Sequence, residues 1–490
     1  AAISKLDTVT PSPTTNHRTP QPKSRPNSFI ERTLNQKYPG GRGTPYTNLI
    51  TTGSTNPRLF LSAGEASGDA YGAQLIATLR SHLPDATFTG LGGRQMELAG
   101  QQRVIRAEDV AVMGVTEILR HVPRIYASYR TLVRSIRQNR PDVAILIDFP
   151  DVNFRLAKHL RKANVPVLWF VSPQLWAWKR SRLRWVQQRV DRMLVIFPFE
   201  QPFYQTRNVH AEFVGHPLAE LPLPSSTRDM YAAQHGLDPL KTWIALLPGS
   251  RWKEIRANLP VLHELAMSDL INSASAQTTF TGYDLQVPRD PAAGTHYEFL
   301  LPVASTIRNA DLLAYIEELN RDHLRYWGPE ARNLRLTLVP EAREALFHAR
   351  ASVVASGTAT VQAAVIGNPF VVVYRVSPLT FALARKLVDY PEDFGAKRDL
   401  SGNLPVAMVN LIAGKRVVPE LLQNRFTAEN VAAELAPLLQ DTPERARQTA
   451  ALAEVRQQLL APDRSGHTAI QRVAAAVLEL LHAASGAATL

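Results

Sequence analysis

The segment Val353 to Pro369, VVASGTATVQAAVIGNP, admits few folds. An apolar run ends in Val353, Val354 and Ala355, Ser356-Gly357-Thr358 makes a tight turn, and from Thr358 the pattern becomes helical with Val361, Ala364 and Val365 on one stripe. A strand that feeds a helix through a glycine turn is half of a crossover unit, and the first N–H groups of such a helix lack partners at the positive end of its dipole. The turn therefore offers an anion a seat. A single S-G-T is better read as an ordinary turn with Ser356 or Thr358 as N-cap. Here a second unit of the same kind stands upstream, with Ile244 to Leu247 as strand, Pro248-Gly249-Ser250-Arg251 as turn and a helix from about Lys253. Two helix N-termini, one carrying an arginine, suit the two phosphates of a nucleotide diphosphate.

The same alternation of strand and helix runs through the chain and predicts an α/β fold of two Rossmann-like, doubly wound parallel-sheet domains facing a cleft. In the first half the expected strands are Arg58–Ser62, Thr87–Leu91, Val143–Ile147, Val167–Val171 and Met193–Phe197. In the second they are Ile244–Leu247, Phe299–Val303, Leu334–Val339, Ala351–Ala355 and Phe370–Tyr374. Pro302 weakens the second of these, because proline cannot donate to a ladder. The Pro-rich stretch Leu221–Ser226 reads as a linker. Boundaries follow: a disordered basic tail over 1–57, domains over 58–222 and 223–440, and helices over 441–490 that pack back on the first domain. Asn272–Glu298 reads as a surface insertion. In such sheets ligands sit beyond the carboxyl ends of the strands, which directs both glycine turns and the loop after Ile147 into the cleft.

Composition narrows the chemistry. A chain of 490 residues and 45% hydrophobic content is too long for one small core, and no apolar run reaches the ~18 residues of a membrane span. Cysteine is absent, which excludes disulfide frameworks and thiol nucleophiles. The His residues show no metal-binding pairing and no Asp-x-Asp occurs, so neither metal nor cofactor is expected. The net charge of +12 points to an anionic partner: nucleic acid, acidic lipid or a phosphorylated substrate.

Taken in order, AGEASGD (63–69), VMGVTE (112–117), IDFPDVNF (147–154), VSPQLWAWKRSR (171–182), FPFE (197–200), FVGHPL (213–218), LLPGSR (246–251), ASGTAT (355–360), YRVSPLT (374–380) and NLIAGKRVVPELLQ (410–423) resemble the lipid-A-disaccharide synthases, glycosyltransferases of GT-B fold. The resemblance covers roughly Arg58 to Gln423. It implies transfer of a sugar from UDP-2,3-diacylglucosamine to the 6-hydroxyl of 2,3-diacylglucosamine 1-phosphate (lipid X), with inversion, giving a β-linked disaccharide and UDP. It also implies work at the cytoplasmic face of an inner membrane, and it admits a homodimer.

Inversion by direct displacement needs a base near the attacking hydroxyl and stabilisation of the departing diphosphate. Asp148, at the end of the strand Val143–Ile147 and matching the first Asp of the family's I-D-x-P-D, is the candidate base. Asp151 competes but reads as a helix N-cap. Arg251, with Ser250 and Gly249, matches the family's P-G-S-R and is assigned to the diphosphate. Ser356, Gly357 and Thr358 form the second cradle. Gln362 stands where family members commonly carry a Glu for the ribose, and an amide accepts without charge. Asn410 matches a donor-site Asn or is a structural turn residue. His216 touches diphosphate or caps a loop. Glu65 and Ser67 serve the acceptor side or belong to a plain βα turn. The chain departs from the family in Ala407-Met408-Val409-Asn410, which replaces S-L-P-N, and in an insertion around Tyr390–Asn403.

Two rival readings remain at this level. A UDP-N-acetylglucosamine 2-epimerase needs the cradle but no lipid acceptor, and V-S-P-x-x-W-A-W argues against it. A nucleic-acid-binding protein is suggested by Lys179, Arg180, Arg182 and Arg184 among Trp176, Trp178 and Trp185, without any RNA-module signature elsewhere. For membrane attachment the expected patch is Val112, Met113, Val115, Ile118 and Leu119 beside Arg120, Arg124 and Arg130, with interfacial aromatics from Trp176 to Trp185.

Overall fold

The computed structural model describes residues 56–111, 118–268, 270–271, 296–327, 336–391, 394, 396–399, 401–462 and 466–487. Two parallel sheets organise them. The first holds β1 (Arg58–Ala63), β2 (Thr87–Gly92), β3 (Gln102–Arg106), β4 (Val143–Ile147), β5 (Val167–Phe170), β6 (Arg192–Val195) and β7 (Ala211–Phe213) in the order β3-β2-β1-β4-β5-β6-β7. The second holds β8 (Thr242–Leu247), β9 (Tyr297–Pro302), β10 (Leu336–Val339), β11 (Ala351–Ala355), β12 (Phe370–Tyr374) and β13 (Glu420–Leu422) in the order β10-β9-β8-β11-β12-β13.

Strand periodicity explains why both sheets are covered on two faces. In the first, Phe60, Ala144, Leu146 and Trp169 face the helices Ile118–Gln138 and Pro150–Lys162, while Leu59, Leu61, Ile145 and Phe170 face the helices Ala66–His82 and Ala469–Ala487. In the second, Ile244, Leu246, Val353 and Val371 pack under the helices Trp252–Met267, Asn309–Trp327 and Ala428–Leu439. Trp243, Ala245, Val354 and Phe370 pack under Ala342–His348, Thr358–Ile366 and Pro443–Gln458. Each sheet is therefore doubly wound.

Three strands escaped the sequence reading. β3 carries only two apolar residues in QRVIR, and β7 and β13 are three residues long at sheet edges, too short to show a period of two. Pro302 is tolerated because it is the last residue of β9, and the next amide, Val303 N–H, completes the ladder to Val339 O at 2.9 Å. Two helices near the C-terminal end start on threonine caps: Thr427 and Thr442 accept from Asn430 N and Arg445 N, with Pro443 at a first helical position. The tail, the segment 272–295 and the residues Val112, Met113 and Val115 lie outside the described residues, as do the side chains of Ile118, Leu119, Arg120 and Arg124.

Candidate active site

Each sheet reverses its strand order at one place, between β1 and β4 in the first and between β8 and β11 in the second. Those are the crevices where parallel sheets bind ligands. In the first sheet Ala63 is level with Ile147, so Gly64 and Glu65 leave the sheet beside Asp148 and Phe149. In the second Leu247 is level with Val354, so Pro248 to Arg251 leave beside Ala355 to Thr358. All four loops singled out in the sequence thus emerge at switch points.

The first crevice is built around a kinked β4 exit. Asp148 and Phe149 both take left-handed backbone, at φ 46 and φ 48, which non-glycine residues adopt only when held there. Asn153, fully buried one helical turn on, holds it: its Nδ2 donates to Asp148 O at 2.7 Å and its Oδ1 accepts from Ser62 Oγ at 2.6 Å. Phe149 in turn lies so close to Gly64 that a Cβ there would sit 2.5 Å from the ring, so any side chain at 64 must displace Phe149. Burial raises the Asp148 carboxyl to about 6, the negative charge of Glu65 pushes the same way, and the Phe149 amide and Arg251 oppose them. Tyr71, packed behind, is raised by burial and by Asp148.

The second crevice carries the two glycine turns. Gly249 has φ +131 and a Cβ there would strike Glu254, and Gly357 has φ +151 with open space before it. Neither helix start has a side-chain cap, although Ser356 and Thr358 had been the capping candidates: the N-cap is Gly357, and Ser356 Oγ instead donates to Val406 O at 3.0 Å. Thr358 begins the helix and is exposed, and Gln362, half-buried, sits one turn further along. At the other turn Glu254 occupies the Ser250 amide at 2.9 Å, and Thr306 Oγ1 donates to Ser250 O at 2.5 Å. Glu254 and Asn153 were missed by the sequence reading. Their signals were faint: a Glu three residues after the N-cap Arg251, and a lone Asn on an apolar helix.

One contact joins the two crevices. Arg251 Nη2 meets Glu65 Oε2 at 2.5 Å, so a turn of the second sheet grips a loop of the first within the field of Asp148. Ser67, half-buried, lies in the first turn of the helix that Glu65 precedes.

Other candidates fall elsewhere. Asp151 is not an N-cap: Pro150 takes the first helical position after Phe149, and the exposed Asp151 carboxylate pairs with Arg182 at 2.8 Å. Asn410 is buried in the short helix Met408–Ile412, donating to Val418 O and Glu420 Oε1 and accepting from Val417 N and Val418 N, which leaves it no atom for a ligand. His216 is buried, its Nδ1 accepts from Leu218 N at 3.2 Å, and burial pushes its pKa down to about 3, so it is a neutral cap. Trp176 is buried with its Nε1 on Glu200, a carboxyl that burial raises to about 8, and of the three tryptophans in the basic aromatic stretch only Trp178 is markedly exposed. Arg130 borders a cavity of about 310 Å³ with Arg134, Arg137 and His159. Among the described residues no cluster could hold a metal ion, and no helix is long and apolar enough to cross a membrane.

Known proteins bear on this arrangement. The family described as Lipid-A-disaccharide synthetase matches residues 59–281 and 311–473. A lipid-A-disaccharide synthase of Acidobacterium capsulatum is 51% identical over 434 residues, covering 87% of this chain and 97% of that protein. One of Koribacter versatilis is 43% identical over 424 residues, covering 86% and 98%. Among solved structures, the S. aureus MnaA-UDP co-structure aligns with a TM-score of 0.51 at 11% identity, over 87% of this chain and 97% of that one, a likeness of fold alone. With the family matched across both sheets and the switch-point loops, this chain belongs to the lipid-A-disaccharide synthases.

Proposed function

We propose that the chain is an inverting, metal-independent glycosyltransferase that joins UDP-2,3-diacylglucosamine to 2,3-diacylglucosamine 1-phosphate, releasing UDP, in lipid A biosynthesis. The observation that carries the site assignment is the Arg251–Glu65 contact, which brings the diphosphate-type turn of one sheet against the acceptor-side loop of the other, next to Asp148. In this reading Asp148 takes the proton of the acceptor's 6-hydroxyl while that oxygen bonds to the anomeric carbon, and the bond from that carbon to the diphosphate breaks with its electron pair leaving on UDP. A carboxyl near 6 is largely ionised at neutral pH yet basic enough to accept a proton.

The donor diphosphate then replaces carboxylates. Glu65 on Arg251 and Glu254 on the Ser250 amide occupy groups suited to phosphate oxygens, and the Gly357–Thr358 helix start adds uncapped amides across the adjacent turn. Gln362 is assigned to the ribose. The lipid nature of both substrates, together with the charge of +12, supports attachment to an anionic membrane surface. The test is a transfer assay with the two diacylated sugars, one radiolabelled, and chromatographic separation of the product. A labelled disaccharide that forms only when both are present is expected, whereas hydrolysis or epimerisation of the UDP-sugar without disaccharide overturns the assignment.

A further inference from the structure

The helix Pro378–Leu387 buries none of its residues, which is unusual for a helix with this sequence. Ser377 caps it by accepting from Thr380 N, Pro378 opens it, and Phe381 and Ala384 give it a half-buried inner face. Its outer face is not polar. Leu379, Leu383 and Leu387, spaced four apart and so aligned on one stripe, are 81%, 55% and 55% exposed. Lys386 flanks this stripe and Arg385 lies further round the helix, both exposed. A second exposed apolar group stands alongside. The segment after the helix is tied to the loop that follows β5, through Asp389 N to Ala177 O at 3.1 Å and Arg180 Nη2 to Asp389 O at 2.6 Å. The next residue on that loop is Trp178, 41% exposed, with Lys179 Nζ 3.9 Å above its ring.

Position gives the patch meaning. The helix leaves the carboxyl end of β12 and the Trp178 loop leaves the carboxyl end of β5, so the patch spans the rims of both sheets on the side where their switch-point loops meet. We infer that Leu379, Leu383, Leu387 and Trp178, with Lys179 and Lys386, form the seat by which the cleft docks on an anionic bilayer. An apolar stripe bordered by cations matches the acyl boundary below and the phosphate layer above, and an aromatic ring beside a lysine is at home between them. The alternative occupant, a second copy of this chain, would have to cover Lys179 and Lys386 with a surface of the same basic protein, Arg180 being already paired with the exposed Asp389 carboxylate at 3.6 Å. The inference rests on the reading of the substrates as membrane lipids and adds to it the surface that meets the membrane, one distinct from the 112–124 stretch singled out in the sequence.

The test uses the full chain with three readouts. Flotation is measured with vesicles of phosphatidylglycerol and phosphatidylcholine, and of phosphatidylcholine alone, at low and high salt. Leu379→Ser, Leu383→Ser and Leu387→Ser together are expected to weaken binding to the anionic vesicles by on the order of tenfold per leucine, with an unchanged melting temperature because the side chains already face water. Brominated lipid is expected to quench tryptophan emission of the unmodified chain and to quench Trp178→Phe less, a measurement that needs no change to the helix. Turnover on detergent-dispersed substrates reads the transfer chemistry separately, so loss of docking and loss of the glycosyltransferase reading are told apart. Flotation unaffected by the serine changes, quenching indifferent to Trp178, or a fall from dimer to monomer in the serine variant on light scattering overturns the proposal, the last by giving the stripe to a second copy.

Discussion

Asp148 is held ionised at neutral pH in a place that disfavours its charge, and Asp148→Asn should expose that cost. Asparagine keeps the size and tolerates the left-handed backbone, so the change removes the charge and little else. The carboxyl is raised from 3.8 to about 6, mainly by burial and then by Glu65, which corresponds to about 3 kcal/mol at 1.36 kcal/mol per pH unit. An acid with a raised pKa binds its proton more tightly in the folded chain, so its unfavourable contribution is complete above pH 6 and vanishes as pH falls through 6 towards 4. Asp148→Asn is therefore expected to raise stability in urea by about 1–3 kcal/mol at pH 8, to lose that advantage near pH 4, and to lower turnover roughly 10²–10⁴-fold. Paired urea unfolding curves at pH 8 and pH 4, with turnover measured at pH 8, decide it. A variant less stable than the parent at pH 8, or one that keeps its turnover, refutes the reasoning.

Arg251→Ala should weaken UDP binding at least tenfold in a calorimetric titration, while Gln362→Glu tightens it through a charged ribose acceptor; weaker binding by Gln362→Glu removes that side chain from the ribose. Gly64→Ala places a methyl group 2.5 Å from the Phe149 ring, so it should displace the Asp148 turn and lower kcat roughly 10²-fold with UDP affinity retained, as steady-state kinetics and titration would register. Asn410→Ala leaves buried donors and acceptors unpaired and should cost about 3 kcal/mol in urea unfolding, with KM unchanged in whatever fraction remains folded.

The doubly wound architecture was legible because long central strands such as Val143–Ile147 and Ala351–Ala355 are continuous apolar runs, each followed by a turn and an amphipathic helix. The edge strands were not, since three residues at a sheet edge carry no period. The placement of the glycine turns and Asp148 was legible from their position after strands, and the reversal of strand order puts these loops at the switch points. The long-range partners were hidden. Nothing in the sequence pairs Arg251 with Glu65, because that contact depends on how two sheets are docked, or sets the Phe149 ring against Gly64, because that one depends on β1 and β4 being neighbours across a crossover. Asn410 stayed open between donor site and structure for a related reason: a motif match gives a position, and only the fold reveals that its hydrogen-bonding atoms are spent on Val417, Val418 and Glu420. For His216 the sequence left a diphosphate contact and a loop cap open, and the fold shows the cap.

The central claim is that the crevices of the two sheets act as one site, with the donor on the second and the base on the first. A crystal structure with UDP tests it most directly. Diphosphate oxygens are expected within hydrogen-bonding distance of the Ser250 amide, the Arg251 guanidinium and the Gly357–Thr358 amides, with Glu65 released from Arg251 and the terminal phosphate facing Asp148. UDP seated away from both glycine turns, or bound with the Arg251–Glu65 pair intact and Asp148 turned from the phosphate, would contradict it.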